Sequence, residues 1–165
     1  MRVYVPATIP ALARARDRGR LDVQDAHAVT PMVREWYVDD DVEDLEFTAL
    51  LDAARASLTL LAHDPEAPRL RLVVAADVPS ADVTVAGPGT GDSNRSAVRL
   101  SAPVALSAVV SLHVDESSSE PIIRAAVRAL TAAEAGDDDA AFDVSQADGC
   151  DLLWYDITEL DDLLG

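Results

Sequence analysis

Asp77, Asp115 with its neighbour Glu116, and Asp156 each close a short apolar run that reads as a β-strand. In open α/β sheets, ligands bind beyond the C-terminal strand ends, and two carboxylates meeting there would hold Mg²⁺ or serve as acid and base. His113, Tyr4 and Tyr155 fall near such ends, and His113 or Tyr155 would move the proton. The competing reading of each aspartate is a cap that bonds the first free amides of a following helix. Geometry separates the two. One cation bridging two carboxylates at ~2.0–2.1 Å per bond needs them in a cleft, within about 5 Å of each other.

Other candidate motifs reduce to structural roles. Gly87-Pro-Gly-Thr-Gly-Asp-Ser-Asn-Arg-Ser96 has neither the lysine nor the following helix of a phosphate loop, so it reads as an exposed hairpin loop over 87–96. All 13 basic residues are arginine, which removes Schiff-base, phosphate-loop and general-base lysines together. His27, His63 and His113 show no metal-ligand spacing. His63 reads as a helix-end residue facing the last carbonyls, and His27 and His113 as hydrogen-bonded strand residues. The acidic run Asp39 to Glu46 lacks the glycine of a Ca²⁺ loop and suits a helix N-terminus instead. The single cysteine, Cys150, excludes an internal disulfide and a Cys-rich zinc site, and nothing basic in sequence beside it would activate the thiol. No G-x-S-x-G elbow is present.

The elements that must position these residues follow from periodicity and capping. Arg2 to Pro6 reads as a strand, and Thr8 with Pro10 opens a helix over about Ile9–Arg18 that stops at Gly19. A strand at Ala26–Val29 and a helical turn from Thr30-Pro31 to Trp36-Tyr37 come next. Val42 to Ala62 is the longest helix, with Val42, Leu45, Ala49, Ala53, Ala56 and Leu60 on one apolar face, widened by Leu50, Ala54, Leu58 and Leu61. Leu70–Ala76 and Val109–Val114 are strands, and Val83 and Val85 face Val98 and Leu100 in a hairpin. Pro121–Ala135 is a helix, 136–149 a polar connection, Leu152–Tyr155 the last strand, and Asp156 to Glu159 a capping-box start to a short helix.

This order predicts a single domain over 1–165, α/β in class with α+β as the alternative. One mixed sheet of about five or six strands would carry the helices. The expected core includes Val3, Val5, Leu45, Leu60, Val73, Val74, Leu112, Val114, Ile122, Leu130 and Leu153.

Met-Arg-Val-Tyr-Val-Pro6, Leu72-Val-Val-Ala-Ala-Asp77, Ser111-Leu-His-Val-Asp-Glu116 and Leu153-Trp-Tyr-Asp156 together resemble a family of small actinobacterial proteins of unknown function. The likeness spans the chain. It implies a stand-alone cytoplasmic protein and supplies no catalytic residue or cofactor.

Charge and composition narrow the function classes. Thirty acidic residues against 13 basic ones give a net charge of -17, which repels nucleic acid and anionic membrane. A hydrophobic content of 49% excludes a disordered chain, and no apolar run approaches the ~20 residues of a membrane helix. The apolar start after Arg2 is broken by Pro6 and Pro10, so it reads as mature structure and not as a secretory signal. Aromatics concentrate at Trp36-Tyr37 and Trp154-Tyr155, which would anchor a protein interface if exposed and serve as core if buried. The leading expectation is therefore a non-catalytic, acidic interaction or regulatory protein of the cytoplasm. Its partner would be another protein or a second copy of the chain, and it would need no cofactor. The alternative is a metal-assisted or acid–base enzyme using Asp77, Asp115 and Asp156, with Mg²⁺ bound there.

Overall fold

The computed structural model describes residues 1–37, 41–86 and 95–165. β1 (Arg2–Ala7) leads into α1 (Ile9–Arg18), whose cap Thr8 accepts from the Ala11 amide. Gly19 ends α1 at φ 75°, a left-handed conformation that costs glycine nothing. β2 (Arg20–Leu21), β3 (Asp25–His27) and α2 (Pro31–Trp36), capped by Thr30, follow. α3 (Val42–Ala62) starts at the cap Asp41, with Glu43 and Asp44 in its first turn complementing the helix dipole. Then come β4 (Leu72–Asp77), β5 (Val83–Val85), β6 (Ala97–Leu100), β7 (Val104–Ala105) and β8 (Val109–Asp115). The helix pair α4 (Glu120–Glu134) and α5 (Asp138–Asp148), β9 (Leu152–Asp156) and α6 (Leu160–Leu164) complete the order.

The main sheet has seven strands in the order β5-β6-β3-β1-β4-β8-β9, and β2 pairs with β7 in a small second sheet. Every described pairing is antiparallel. The expected five or six strands in a mixed sheet thus give way to an α+β arrangement. The expected hairpin is present, with Val83 opposite Leu100 and Val85 opposite Val98. Of the loop expected at 87–96, residues 87–94 lie outside the described residues. Its end is not an exposed tip, since Ser96 is fully buried.

The antiparallel pairing of β9 with β8 has a topological cause in α5. Asp137 caps this helix by accepting from the Ala140 amide at 2.9 Å, and Ala140, Val144 and Ala147 form its buried stripe. This corrects the polar connection expected over 136–149. One helix after β8 would carry the chain to the far end of the sheet, ready for a parallel strand. Two packed helices return it to the end it left, so β9 pairs antiparallel beside β8.

Strand alternation divides the core between two faces. Val3, Val5, Leu72, Val74, Leu112 and Val114 pack on one face with Leu12 and Ala15 of α1 and Leu160 of α6. Tyr4, Val73 and Ala75 meet Ala49, Leu50, Ala53 and Ala54 of α3 on the other. Leu58 and Leu61 extend α3 onto Ile123 and Ala126 of α4 and Val144 and Ala147 of α5. The buried stripe of α3 holds the expected Leu45, Ala49, Leu50, Ala53, Ala54, Leu58 and Leu61 and adds Ser57, while Val42 and Leu60, expected on it, are exposed and Ala56 is half-buried. Ser57 sits fully buried on that stripe because its hydroxyl donates to Ala7 O at 2.8 Å and accepts from the Leu72 amide at 3.2 Å. Ile122 and Leu153, expected in the core, are exposed. Ile123 takes the inward position on α4, and Leu153 lies on an edge strand. Leu130 is half-buried. No helix among the described residues is long and apolar enough to cross a membrane.

Candidate functional site

The topology separates the three strand-end carboxylates. β8 runs antiparallel to β4 and β9, so Asp115 lies at the opposite end of the sheet from Asp77 and Asp156. Those two share an end, but β8 lies between their strands, two strand spacings or about 10 Å across. Each has its own structural partner. Arg2 donates to Asp77 through Nε at 2.6 Å and Nη2 at 3.1 Å, and this bond holds the Asp77 carboxyl below the usual carboxylate range. Asp156 accepts from the Thr158 amide at 2.9 Å and its hydroxyl at 2.8 Å, which likewise lowers its pKa. Glu159 returns a bond from the Asp156 amide at 2.8 Å, completing the capping box.

Asp115 is sealed in the core. Its oxygens accept from Arg71 Nε at 2.9 Å, Arg71 Nη2 at 2.8 Å and the Arg71 amide at 2.7 Å, and both side chains are essentially inaccessible. Arg71 Nη2 also donates to Cys150 O at 3.1 Å, tying the approach to β9 onto β4 and β8. Glu116 beside it is exposed.

The residues that do gather lie on the sheet face beside α3. That helix covers β3, β1 and β4 and leaves the outer strands β8 and β9 open. A groove of about 240 Å³ results, walled by Glu43, Glu46 and Phe47 of α3, with Tyr4, His113 and Trp154 on its sheet side. Trp154 lies directly across the strand pair from His113. Trp154 and Phe47 are 60% and 57% exposed, unusual values for side chains of that size. Ser111, two residues before His113 and on the same face, places Oγ 3.0 Å from His113 Nε2. Burial, and then the charge of Arg2, push the His113 pKa down, so its imidazole is neutral at physiological pH. The Tyr4 hydroxyl points at Glu46 Oε2 from 3.5 Å, and burial raises its pKa.

Ser111 and His113 stand at a nucleophile–base distance, but Ser111 is buried and no described group orients His113 Nδ1, as a hydrolytic triad requires. The floor and walls offer aromatic surface, and the charged lining is Glu43, Glu46 and Arg2, the last already paired with Asp77.

A model of a family of unknown function, DUF6912, matches residues 1–164. The chain belongs to that family. No curated protein and no solved structure matches this DUF6912 chain.

The second aromatic pair of the DUF6912 chain lies elsewhere. Trp36 is 60% exposed, with the Arg95 guanidinium 3.5 Å above its ring centroid, and Tyr37 is exposed beside it. Tyr155 is half-buried against the core on the opposite face from Trp154. His63 bonds the Thr59 carbonyl at 2.8 Å, and His27 bonds Ser96 at 2.8 Å. Sequence reasoning missed Arg2, Glu46, Phe47 and Ser111 as groove residues. Alternation from His113 places Ser111 on the same face, but only the path of α3 brings Phe47 opposite Trp154.

Proposed function

We propose that this protein works by binding, as a non-catalytic interaction module of the cytoplasm that needs neither cofactor nor metal. Its partner presents an extended segment that inserts an apolar side chain between Phe47 and Trp154 and sets basic residues against Glu43 and Glu46. The observation carrying this reading is the exposure of Trp154 and Phe47 on facing sides of one groove. Tryptophan is the side chain most enriched at interface hot spots, and its exposure in water has no folding advantage. β9 is the outermost strand on this side, so a partner strand can add to its edge while its side chains enter the groove. The net charge of -17 selects a basic segment and disfavours a second copy of the same acidic chain.

A photo-crosslinking residue placed at Phe47 tests this in the cells of origin. It is expected to give a discrete adduct whose mapped peptide is apolar and flanked by Lys or Arg, and Trp154→Ala is expected to abolish it. The same probe at Phe142, an exposed aromatic on α5, serves as the control. No adduct at Phe47, or the same adducts at both positions, would overturn the reading.

A further inference from the structure

A second cleft lies on the other side of α3 from the groove and does not depend on it. It measures about 570 Å³, within the range of small-molecule sites, and is formed between α3, strands β3 and β6, and the α4–α5 pair. His27 lines it while being only 8% exposed. A relay of hydrogen bonds organises this imidazole. Ser96 Oγ donates to Asp52 Oδ2 at 2.5 Å, which commits the only hydroxyl proton. The 2.8 Å contact between His27 Nδ1 and Ser96 Oγ must then run from Nδ1–H to the hydroxyl oxygen. The proton is therefore on Nδ1, and Nε2 carries a lone pair. No described group bonds Nε2, and no fully buried polar side-chain atom lacks a partner, so solvent reaches Nε2. A nitrogen acceptor held in one tautomer, nine-tenths buried and open to a cleft, is built to receive a hydrogen bond from a ligand.

The cleft also carries information about charge. Asp25, Asp52 and Glu134 line it with Arg55 and Arg99. Both guanidiniums are already committed, Arg55 to Asp148 at 3.1 Å and Arg99 to Asp25 at 3.5 Å. Glu134 makes no ion pair with any described residue. Ala56, Ala86, Ala97 and Ala133 give the walls a smooth aliphatic surface. We propose that this cleft binds a small aliphatic ammonium ion, whose N–H donates to His27 Nε2 and whose charge is balanced by Glu134. The neutral state of His27 fits this role, since burial depresses its pKa and an imidazolium would have no acceptor to offer and would repel the cation.

The test uses 1,5-diaminopentane as probe, with its fully N-methylated bis-quaternary analogue and glutarate as comparisons, each titrated calorimetrically into the full-length protein. The quaternary analogue keeps the charge but has no N–H donor, so it separates the specific site from general attraction to an acidic surface. The amine is expected to bind at one site, and the analogue and glutarate at least about tenfold more weakly, the loss of one charge-assisted hydrogen bond. His27→Leu, which carries no acceptor, is expected to reduce amine binding to the level of the analogue. Should that variant fold poorly, the ¹⁵N resonance of His27 Nε2 in the unaltered protein decides. It is expected at the position of an unprotonated nitrogen and to shift on amine addition. Equal binding of amine and analogue, stronger binding of glutarate, absence of amine binding, or an unmoved Nε2 resonance would each overturn the proposal.

Discussion

Asp115→Asn is expected to cost about 3–5 kcal/mol of folding stability in urea titrations, although the residue lines neither cleft. The side chain is fully buried and accepts three hydrogen bonds from Arg71, itself fully buried. An amide there removes the counter-charge and turns an NH₂ group toward guanidinium donors. The Arg71 cation is then left uncompensated in a low-dielectric interior. The double variant Arg71→Met with Asp115→Leu removes both charges, so most of the loss is expected to be recovered. A single-variant cost below about 1 kcal/mol would contradict the buried pair as described.

Acidification is expected to destabilise the protein through His27. Its pKa is lowered from 6.5 to about 4, first because burial penalises the imidazolium, while Asp25 opposes the shift in part. The folded state therefore binds fewer protons than the unfolded chain between those values. Stability rises with pH wherever the unfolded chain binds more protons, so this contribution is intact above about pH 6.5. It is lost progressively below that pH, and the loss is complete near pH 4, where it amounts to roughly 3 kcal/mol. Gln has no titration there but can still donate to Ser96. The difference in stability between the native protein and His27→Gln should thus slope between pH 6.5 and 4 and flatten outside that window. A pH-independent difference would contradict the buried neutral imidazole.

What could be read from the sequence was local. The bounds of α1 and α3 follow from Thr8, Gly19 and the acidic start at Asp41, because caps act within one turn. The β5–β6 hairpin was legible because Val83 and Val85 alternate on one side of a glycine-rich stretch of sequence and Val98 and Leu100 on the other. α5 was not, since Asp137-Asp-Asp139 resembles a solvated loop and the alanines that follow carry little hydrophobic signal. Losing that helix also lost the direction of β9, whose antiparallel pairing with β8 depends on an even number of helices between the two strands. The polar interior was the hardest part. Arg71 alone interrupts the apolar run Leu70–Ala76, a visible signal, but its partner lies 44 residues on. The His27 relay joins residues 69 and 44 apart in sequence, which no spacing rule connects. The strand-end aspartates were correctly placed at their strand ends, yet strand direction, invisible locally, decided that they do not converge.

The groove reading makes Trp154 the buried centre of a complex. Trp154 and Trp36 are the chain's two tryptophans, so Trp36→Phe leaves all tryptophan emission to Trp154. The decisive measurement is the emission and acrylamide quenching of that variant during titration with the synthetic form of the segment crosslinked at Phe47. The account predicts a blue-shifted emission and strong protection from quenching at saturation, as a 60%-exposed indole passes into an apolar contact. Phe142→Ala in the same background, an exposed aromatic on α5 outside the groove, should leave the titration unchanged. Saturable binding that leaves Trp154 emission and quenching as they were in the free protein would contradict the account.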